Sequence, residues 1–270
     1  LPLSFLQADL LELAKPLDHW IYKLPVNEQQ QLVNIQLFIE DLAGQKVRQP
    51  YILGYCYPWD YVVRGRADDK GFIEIKGPVG DWSFYAAGTN YLCAVKAVKI
   101  VQDIKVSLKP DQKIDVALTY NQKAGLPEKM LQKGANSPPL SISFVPEDLP
   151  VYAEPLPMGT SRQNSLNVSV NKGISGRLWL SKSMDDQMTG LVGNSQFTTD
   201  FSQKINVINS DAGRIFFQFD GFGRQTRASI QITPLDSNGG FARNAFQIPP
   251  KGGKIGLFVP PGVYQVEVSL

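Results

Sequence analysis

The residue types that carry enzyme chemistry are sparse in this sequence and form no recognisable set. The sole histidine, His19, stands between Asp18 and Trp20. A histidine-dependent nucleophile needs an imidazole beside it, and a zinc site of the usual ligands needs several histidines or cysteines. The sequence has no phosphate-binding glycine loop, dinucleotide fingerprint or Gly-x-Ser-x-Gly element. We therefore interpret His19 as a surface or packing residue and predict no catalytic residue, no cofactor and no metal, hence not an enzyme.

Neighbouring carboxylates occur twice, as Asp68-Asp69 and as Asp185-Asp186. Adjacent residues of a strand point to opposite faces, so neither pair makes a shared acid–base site. The stretch from Asp236 to Gly239 resembles the opening of a calcium loop but lacks the closing glutamate. We interpret all three as turns, in which an aspartate accepts backbone N–H groups.

The two cysteines, Cys56 and Cys93, both lie in strand-like runs. In an oxidising compartment they would be able to form one disulfide. The alternative is two buried free thiols, since unpaired cysteine is among the most buried residue types. The spacing does not choose between these alternatives.

Aromatic side chains alternate through the run GYCYPWDYV, at Tyr55, Tyr57, Trp59 and Tyr61. If exposed, these four rings would form a strip that stacks on sugar rings or anchors a protein partner, with Tyr57, Trp59 and Tyr61 as the candidate contacts. If buried, the same rings would fill the core of a sandwich. Pro58 interrupts any regular central strand here, which favours a loop or an edge.

These residues are positioned by strands, because the pattern from Leu32 onward alternates with a period of two. Val33, Ile35, Leu37 and Ile39 form the clearest example. Gly, Pro, Asp or Asn bound the predicted strands, as is typical of strand ends. The predicted strands are Tyr51–Tyr57, Phe72–Lys76, Trp82–Ala87, Tyr91–Ile100, Lys105–Leu108, Lys113–Thr119, Ser141–Val145, Leu166–Val170, Arg177–Ser181, Gln203–Ile208, Arg214–Phe219, Ala228–Thr233, Lys254–Val259 and Val263–Leu270.

Helical signals are confined to the start of the chain, where Ser4 is a candidate cap and Pro16 a stop. Residues 121–140 are polar and rich in Gly and Pro, which favours a linker over a long loop. Many short strands with frequent turns indicate an all-β fold of two tandem antiparallel β-sandwich domains. We predict an N-terminal helical segment or linker over 1–25, domain 1 over 26–120, a linker over 121–140 and domain 2 over 141–270.

Composition excludes several functional classes. The formal net charge is +2 and the basic residues are scattered, whereas nucleic-acid binding needs a basic face. No run approaches the roughly 20 apolar residues of a membrane helix. We expect neither nucleic-acid binding nor a membrane span.

Two stretches echo each other: IQLFIEDLAG at Ile35–Gly44 and IFFQFDGFG at Ile215–Gly223. Together with Asp68–Phe72, Pro78–Phe84 and Pro260–Val268, they give an order of strand, Asp-containing turn, Gly-Phe hairpin and Pro-Gly closing strand. This order resembles the carboxypeptidase regulatory-like (transthyretin-like, prealbumin-like) β-sandwich family. The resemblance is clearest over 32–119 and weaker over 214–270. It implies immunoglobulin-like or transthyretin-like sandwiches, and the shared motifs are turn chemistry more than functional residues.

These observations favour a non-catalytic, secreted or cell-surface structural protein of a surface layer, a filament or a larger extracellular assembly. Its partners would be other protein chains, including copies of itself, because terminal strands can pair with neighbours. The alternative is a carbohydrate-binding accessory module that uses the Trp59 and Tyr61 cluster with Trp82 on a polysaccharide. A hydrolase with dispersed carboxylates is a third alternative, which a pocket with two facing acids would support.

Overall fold

The computed structural model describes residues 22–23, 31–59, 61–119, 140–149, 156–161, 165–185, 188–206, 213–219, 227–234, 242–247, 253–259 and 263–269. The chain divides into two compact units. Unit 1 comprises Leu1–Gln112 and Ser169–Asn171, and unit 2 comprises Lys113–Val168 and Lys172–Leu270. The described residues form strands and one short 3-10 helix, so the all-β prediction is confirmed for this part of the chain.

The strands of unit 1 are β1 (Tyr22–Lys23), β2 (Leu32–Ile39), β3 (Tyr51–Cys56), β4 (Tyr61–Arg66), β5 (Phe72–Pro78), β6 (Gly80–Gly88), β7 (Tyr91–Ile100) and β8 (Ile104–Leu108). The 3-10 helix Tyr57–Trp59 connects β3 to β4. The later strands are β9 (Gln112–Thr119), β10 (Leu140–Pro146), β11 (Leu156–Ser161), β12 (Ser165–Val170), β13 (Ser175–Asp185), β14 (Met188–Thr198), β15 (Gln203–Asn206), β16 (Gly213–Phe219), β17 (Arg227–Pro234), β18 (Ala242–Gln247), β19 (Gly253–Val259) and β20 (Tyr264–Ser269).

Unit 1 contains a three-stranded sheet with β2 at its centre. β2 pairs antiparallel with β5 and parallel with β8. Val33, Ile35, Leu37 and Ile39 are buried, as their alternation predicts, because residues two apart share one face of the sheet. The burial pattern therefore follows directly from the sequence.

The second sheet of unit 1 runs in the order β1-β4-β3-β6-β7, and Ser169–Val170 pair in parallel with Tyr91–Leu92. Buried residues of both sheets form a single apolar cluster, with Ile35 and Leu37 from β2 and Trp82 and Phe84 from β6. The rings of Trp82 and Phe84 stack with centroids 5.2 Å apart. Burying a large apolar side chain stabilises a fold by roughly 1.5–3 kcal/mol. Unit 1 is thus a β-sandwich whose two sheets share one core.

Aspartates organise the tight turns of unit 1, as the sequence predicts. Asp41 Oδ1 accepts hydrogen bonds from the N–H groups of Ala43 and Gln45 at 2.9 and 2.8 Å. Asp68 Oδ1 accepts hydrogen bonds from the N–H groups of Lys70 and Phe72, both at 2.8 Å. These carboxylates take the place of missing backbone acceptors and are structural.

Gly71 completes the second of these turns. Its φ is +66°, a left-handed conformation that glycine adopts without steric cost. A Cβ at this position would lie 2.5 Å from the Ile39 carbonyl oxygen and 2.8 Å from that of Val47. Conformation and space both therefore require glycine here.

Unit 2 contains a six-stranded sheet in the order β11-β10-β13-β14-β19-β16 and a three-stranded sheet in the order β18-β17-β20. The parts of β12 and β9 that belong to unit 2 lie side by side with β15, in the order β12-β9-β15. Leu140, Ile142 and Phe144 alternate inward along β10, and the ring of Phe144 meets that of Phe197 edge-on at 5.9 Å. The period-two pattern again selects the core face.

Several sequence predictions concern residues outside the described part of the chain. The predicted N-terminal helix falls in residues 1–20, which lie outside the described residues, and Tyr22–Lys23 form the short strand β1. The linker over 121–140 lies outside them except for Leu140. The domain boundaries stay predictions. The echoing stretches occupy different positions, because β2 is a central strand and β16 is an outer strand.

Candidate partner-binding surfaces

The aromatic run between β3 and β4 divides into buried and exposed rings. Tyr55 and Tyr61 are buried, at 7% and 2% exposure, whereas Tyr57 and Trp59 are 41% and 45% exposed. The 3-10 helix that contains Pro58 ends the alternation of β3, so the rings do not share one face. The sequence-predicted strip of four rings is thus reduced to Tyr57 and Trp59.

These two exposed rings are held in place by polar contacts. Trp59 Nε1 donates a hydrogen bond of 2.7 Å to the Val79 carbonyl oxygen, and the Tyr57 hydroxyl lies 3.1 Å from Ser83 Oγ. The Tyr55 and Tyr57 rings meet edge-on with centroids 4.9 Å apart. Because these contacts fix the rotamers of Tyr57 and Trp59 before binding, the two side chains would lose little conformational entropy when a ligand stacks against them.

Tyr61 and Trp82 belong to the core, although both were candidates for a binding cluster. The Tyr61 hydroxyl donates to the Lys76 carbonyl oxygen at 3.2 Å, and Trp82 Nε1 donates to that of Pro78 at 2.9 Å. Burial, with a smaller effect of Cys56, raises the pKa of Tyr61 to about 12. Tyr61 therefore does not form part of an exposed contact surface.

Both cysteines are buried free thiols in the structure, so the disulfide alternative is not formed. Cys56 on β3 lies opposite Trp82 of β6, and Cys93 on β7 lies opposite Ala86 of β6. Two strand spacings of about 4.8 Å each separate β3 from β7. A disulfide needs Cα atoms within about 7 Å, which this arrangement prevents.

The two thiols are also chemically inert in this environment. Burial and, to a smaller extent, the charge of Asp81 raise the pKa of Cys56 to about 12. Burial is also the main cause that raises the pKa of Cys93 to about 12. The thiolate is the nucleophilic form, so neither cysteine is a candidate nucleophile at neutral pH.

The polar cluster around Asn171 has no signal in the sequence. Asn171 Oδ1 accepts hydrogen bonds from the Cys93 thiol and from the Ala94 N–H, and its amide donates to the Lys109 carbonyl oxygen. The nearby Tyr91 hydroxyl donates to backbone carbonyl oxygens, and burial raises its pKa. A local sequence pattern cannot predict these contacts, because Asn171 lies 78 positions from Cys93 and 77 from Ala94. The cluster fixes strands of unit 1 and presents no reactive group.

Acidic residues do not converge on a reaction site in the described part of the chain. No group of three or more His, Cys, Asp or Glu residues there is arranged to hold a metal ion. Asp69 faces Arg48 at 3.3 Å on the surface, while Asp68 is used in its own turn. His19, Asp186 and the Asp236–Gly239 stretch lie outside the described residues.

The last described strand, β20, has an outer side on which no described strand pairs. Across the β17–β20 pair, Val268 stands opposite Ile230, and Val266 stands opposite Ile232. Ile230 is fully buried, yet Val266 and Val268 are 41% and 46% exposed. The sequence identifies the apolar face of this strand but not its exposure. Among the described strands, β20 is therefore an outer edge that carries exposed apolar side chains.

The described residues contain no helix that is both long and apolar enough to cross a bilayer.

Comparison with known proteins finds structural neighbours but no family. No family model matches the chain, and no curated protein matches it. The Bacillus anthracis TIE protein aligns over 88% of this chain and 45% of its own length, at 10% identity and a TM-score of 0.23. This chain thus spans less than half of that structure.

Two pilins are also among the similar structures. The shaft pilin SpaA from Lactobacillus rhamnosus GG aligns over 65% of this chain and 96% of its own, at 9% identity and a TM-score of 0.24. BcpA, the major pilin subunit of Bacillus cereus, aligns over 88% of each chain, at 10% identity and a TM-score of 0.24. The carboxypeptidase regulatory-like resemblance has no matching family model and stays a prediction.

Proposed function

We propose that this chain is a non-catalytic structural protein of a secreted or cell-surface assembly, in which its β-sandwich units associate with other chains, including copies of itself. The observation that carries the proposal is the open edge of β20 with its exposed valines. An unpaired edge presents a row of N–H and C=O groups that can add a strand from another chain. Covering the exposed apolar side chains beside such an edge removes them from water, which stabilises the complex.

The chemistry of the described residues supports a structural role over a catalytic one. Asp68, from one of the two neighbouring carboxylate pairs, accepts hydrogen bonds within its own turn. The buried Cys56, Cys93 and Tyr61 have raised pKa values and stay protonated at neutral pH. A thiol or phenol with a pKa of about 12 does not exchange a proton readily near pH 7, which general acid–base catalysis needs.

The proposal is tested on the full chain by two measurements. Sedimentation velocity over a wide concentration range should show association, and an antibody should label intact, unpermeabilised cells of the source organism. A protein that stays monomeric up to millimolar concentration and is absent from the cell exterior would refute the proposal.

A second function, polysaccharide binding, is favoured by Tyr57 and Trp59. Two exposed aromatic rings held by polar contacts are side chains of the kind that stack on sugar rings. Glycan-array binding and pull-down on insoluble polysaccharides would detect it. Trp59→Ala should then reduce binding at least about tenfold, the loss of roughly 1.4 kcal/mol, whereas Phe201→Ala, at a 60% exposed aromatic residue elsewhere, should leave it unchanged. Absence of binding by the unmodified chain would exclude this function.

A further inference from the structure

β20 differs in composition from every other described outer strand. Native proteins protect sheet edges against pairing with lysine, proline, bulges or other charged residues. The other outer strands each contain a Lys, Arg or Pro: Lys23 in β1, Lys76 in β5, Lys105 in β8, Pro157 in β11, Lys204 in β15, Arg214 in β16 and Arg243 in β18. β20, with the sequence YQVEVS, contains none of them. Among the described outer strands, β20 is therefore the one without lysine, arginine or proline, and Glu267 is its one charged residue.

The one charged residue of β20, Glu267, has a hydrogen-bond partner on its own strand. Glu267 Oε1 accepts a hydrogen bond of 3.0 Å from Gln265 Nε2, and both side chains lie on the same face because they are two residues apart. On the opposite face, Val266 and Val268 extend the row that begins with the buried Ile230. One face of the edge is therefore apolar and the other is a glutamine–glutamate pair.

The residue order of β20 is complementary to itself. In an antiparallel pair of two β20 strands centred on Val266, this valine faces its own counterpart and Tyr264 faces Val268 of the second copy. In the same register Gln265 faces Glu267 of the second copy, so an amide donor meets a carboxylate in both directions. A pair centred on Glu267 would place two carboxylates opposite each other, which is unfavourable. Centring on Gln265 would leave Val268 and Ser269 unpaired.

We propose that two copies of this chain join through their β20 strands, antiparallel and centred on Val266, so that the β18-β17-β20 sheet continues across a two-fold axis. This inference rests on the proposed assembly function and names its contact. A two-fold axis makes the interface isologous, because the same residues serve both copies. A contact of one strand on each side is smaller than an ordinary stable interface, so association should be weak.

Charge substitution tests which edge is used. Val266→Lys places two lysines opposite each other across the axis and removes the contact between the two valines, so the dimer dissociation constant should rise about 100-fold or more. Val101→Lys is the matched control, since Val101 is 60% exposed in unit 1. It should leave the dissociation constant within about twofold, well below the tenfold change that 1.4 kcal/mol represents. Sedimentation velocity of the full chain measures both variants.

Cysteine cross-linking tests the register. Opposite residues of an antiparallel pair have Cα atoms about 4.5–5.5 Å apart, which suits a disulfide. Val266→Cys should therefore give a covalent dimer under mild oxidation. Val268→Cys should not, because its counterpart lies four residues further along the strand, about 14 Å away. The native Cys56 and Cys93 are buried and do not compete.

The outcomes separate this contact from the proposed function. Association that Val266→Lys weakens no more than Val101→Lys would overturn the β20 contact and leave the assembly function standing. Association with equal cross-linking of both cysteine variants would overturn the register and hence the proposal. A chain that stays monomeric and is absent from the cell exterior would overturn both.

Discussion

Replacing Gly71 by alanine tests whether the turn between β4 and β5 is as closely packed as the structure shows. The added Cβ would lie 2.5 Å from the Ile39 carbonyl oxygen and 2.8 Å from that of Val47. Both oxygens belong to backbone that hydrogen bonds hold in place. The Ile39 N–H donates to the Gly71 carbonyl oxygen at 2.8 Å, and the Val47 N–H donates to the Ile39 carbonyl oxygen at 3.1 Å. Moving this backbone away from the added Cβ would break both hydrogen bonds. We therefore expect the variant to carry the strain of a left-handed alanine and to lose these hydrogen bonds.

Two other glycines of unit 1 separate these contributions. Gly44 has a φ of +79° but its nearest contact for a Cβ is Lys109 Nζ at 3.7 Å, and Gly88 has nothing within 4 Å and no positive φ. Gly44→Ala should cost about 1 kcal/mol, the strain of a left-handed alanine reduced by the lower entropy of the unfolded chain. Gly88→Ala should be neutral or stabilising by about 0.5 kcal/mol. Gly71→Ala has the same conformational cost and also loses two backbone hydrogen bonds of about 1 kcal/mol each, so the variant should be destabilised by about 3 kcal/mol.

Urea unfolding followed by tryptophan fluorescence measures these differences, because Trp82 is fully buried in unit 1. With a denaturant slope of about 1–3 kcal/mol/M, the Gly71→Ala midpoint should fall by about 1–3 M, against less than about 1 M for Gly44→Ala. Equal midpoints for Gly71→Ala and Gly44→Ala would refute the close contact at Ile39 and Val47, and the conformational term would then stand alone.

Three further results are expected. Asp68→Ala should destabilise unit 1 by roughly 1–2 kcal/mol, since two backbone N–H groups lose their acceptor, whereas Asp68→Asn should retain most of the stability; urea midpoints that rank the two variants equally would contradict this. Cys56 and Cys93 should resist a thiol reagent at about pH 8 in the native protein and react in urea, since burial raises both pKa values to about 12; rapid native labelling would contradict their burial. Hydrogen bonds from the Asn34 backbone and side chain lower the pKa of Asp103, so its contribution is present above the ordinary aspartate pKa and is lost as pH falls through the lowered one. The difference in urea midpoint between the wild type and Asp103→Asn should therefore shrink between about pH 7 and about pH 2, and a difference independent of pH would contradict the assignment.

The strands that follow a period of two were predictable from sequence, and others were not. β7 has the predicted bounds Tyr91–Ile100, and β2 buries the predicted alternate residues. β4 was missed because Tyr61, Val62 and Val63 are buried in succession, so no alternation marks it. A strand covered on both faces carries no period-two signal.

The candidate surfaces were predictable only in part. The sequence placed aromatic rings at Tyr57, Trp59 and Tyr61, but the 3-10 helix exposes the first two and β4 buries the third. Likewise, alternation puts Val266 and Val268 on one face of β20, yet only sheet order shows that no described strand covers the edge. Exposure depends on which elements become neighbours, and that information is not local.

Unit 1 is discontinuous along the chain, because Ser169–Asn171 belong to it although the rest of it ends at Gln112. During synthesis, the first sandwich therefore cannot be completed when residue 112 leaves the ribosome. The Cys93 thiol and the Ala94 N–H donate to Asn171, which is synthesised 78 and 77 residues later, respectively. These hydrogen bonds therefore cannot form until Asn171 is available. A nascent chain arrested before residue 171 leaves the ribosome should expose the side of β7 that later pairs with Ser169 and Val170. A protease should therefore cleave this chain more readily than one arrested after residue 171 has left the ribosome.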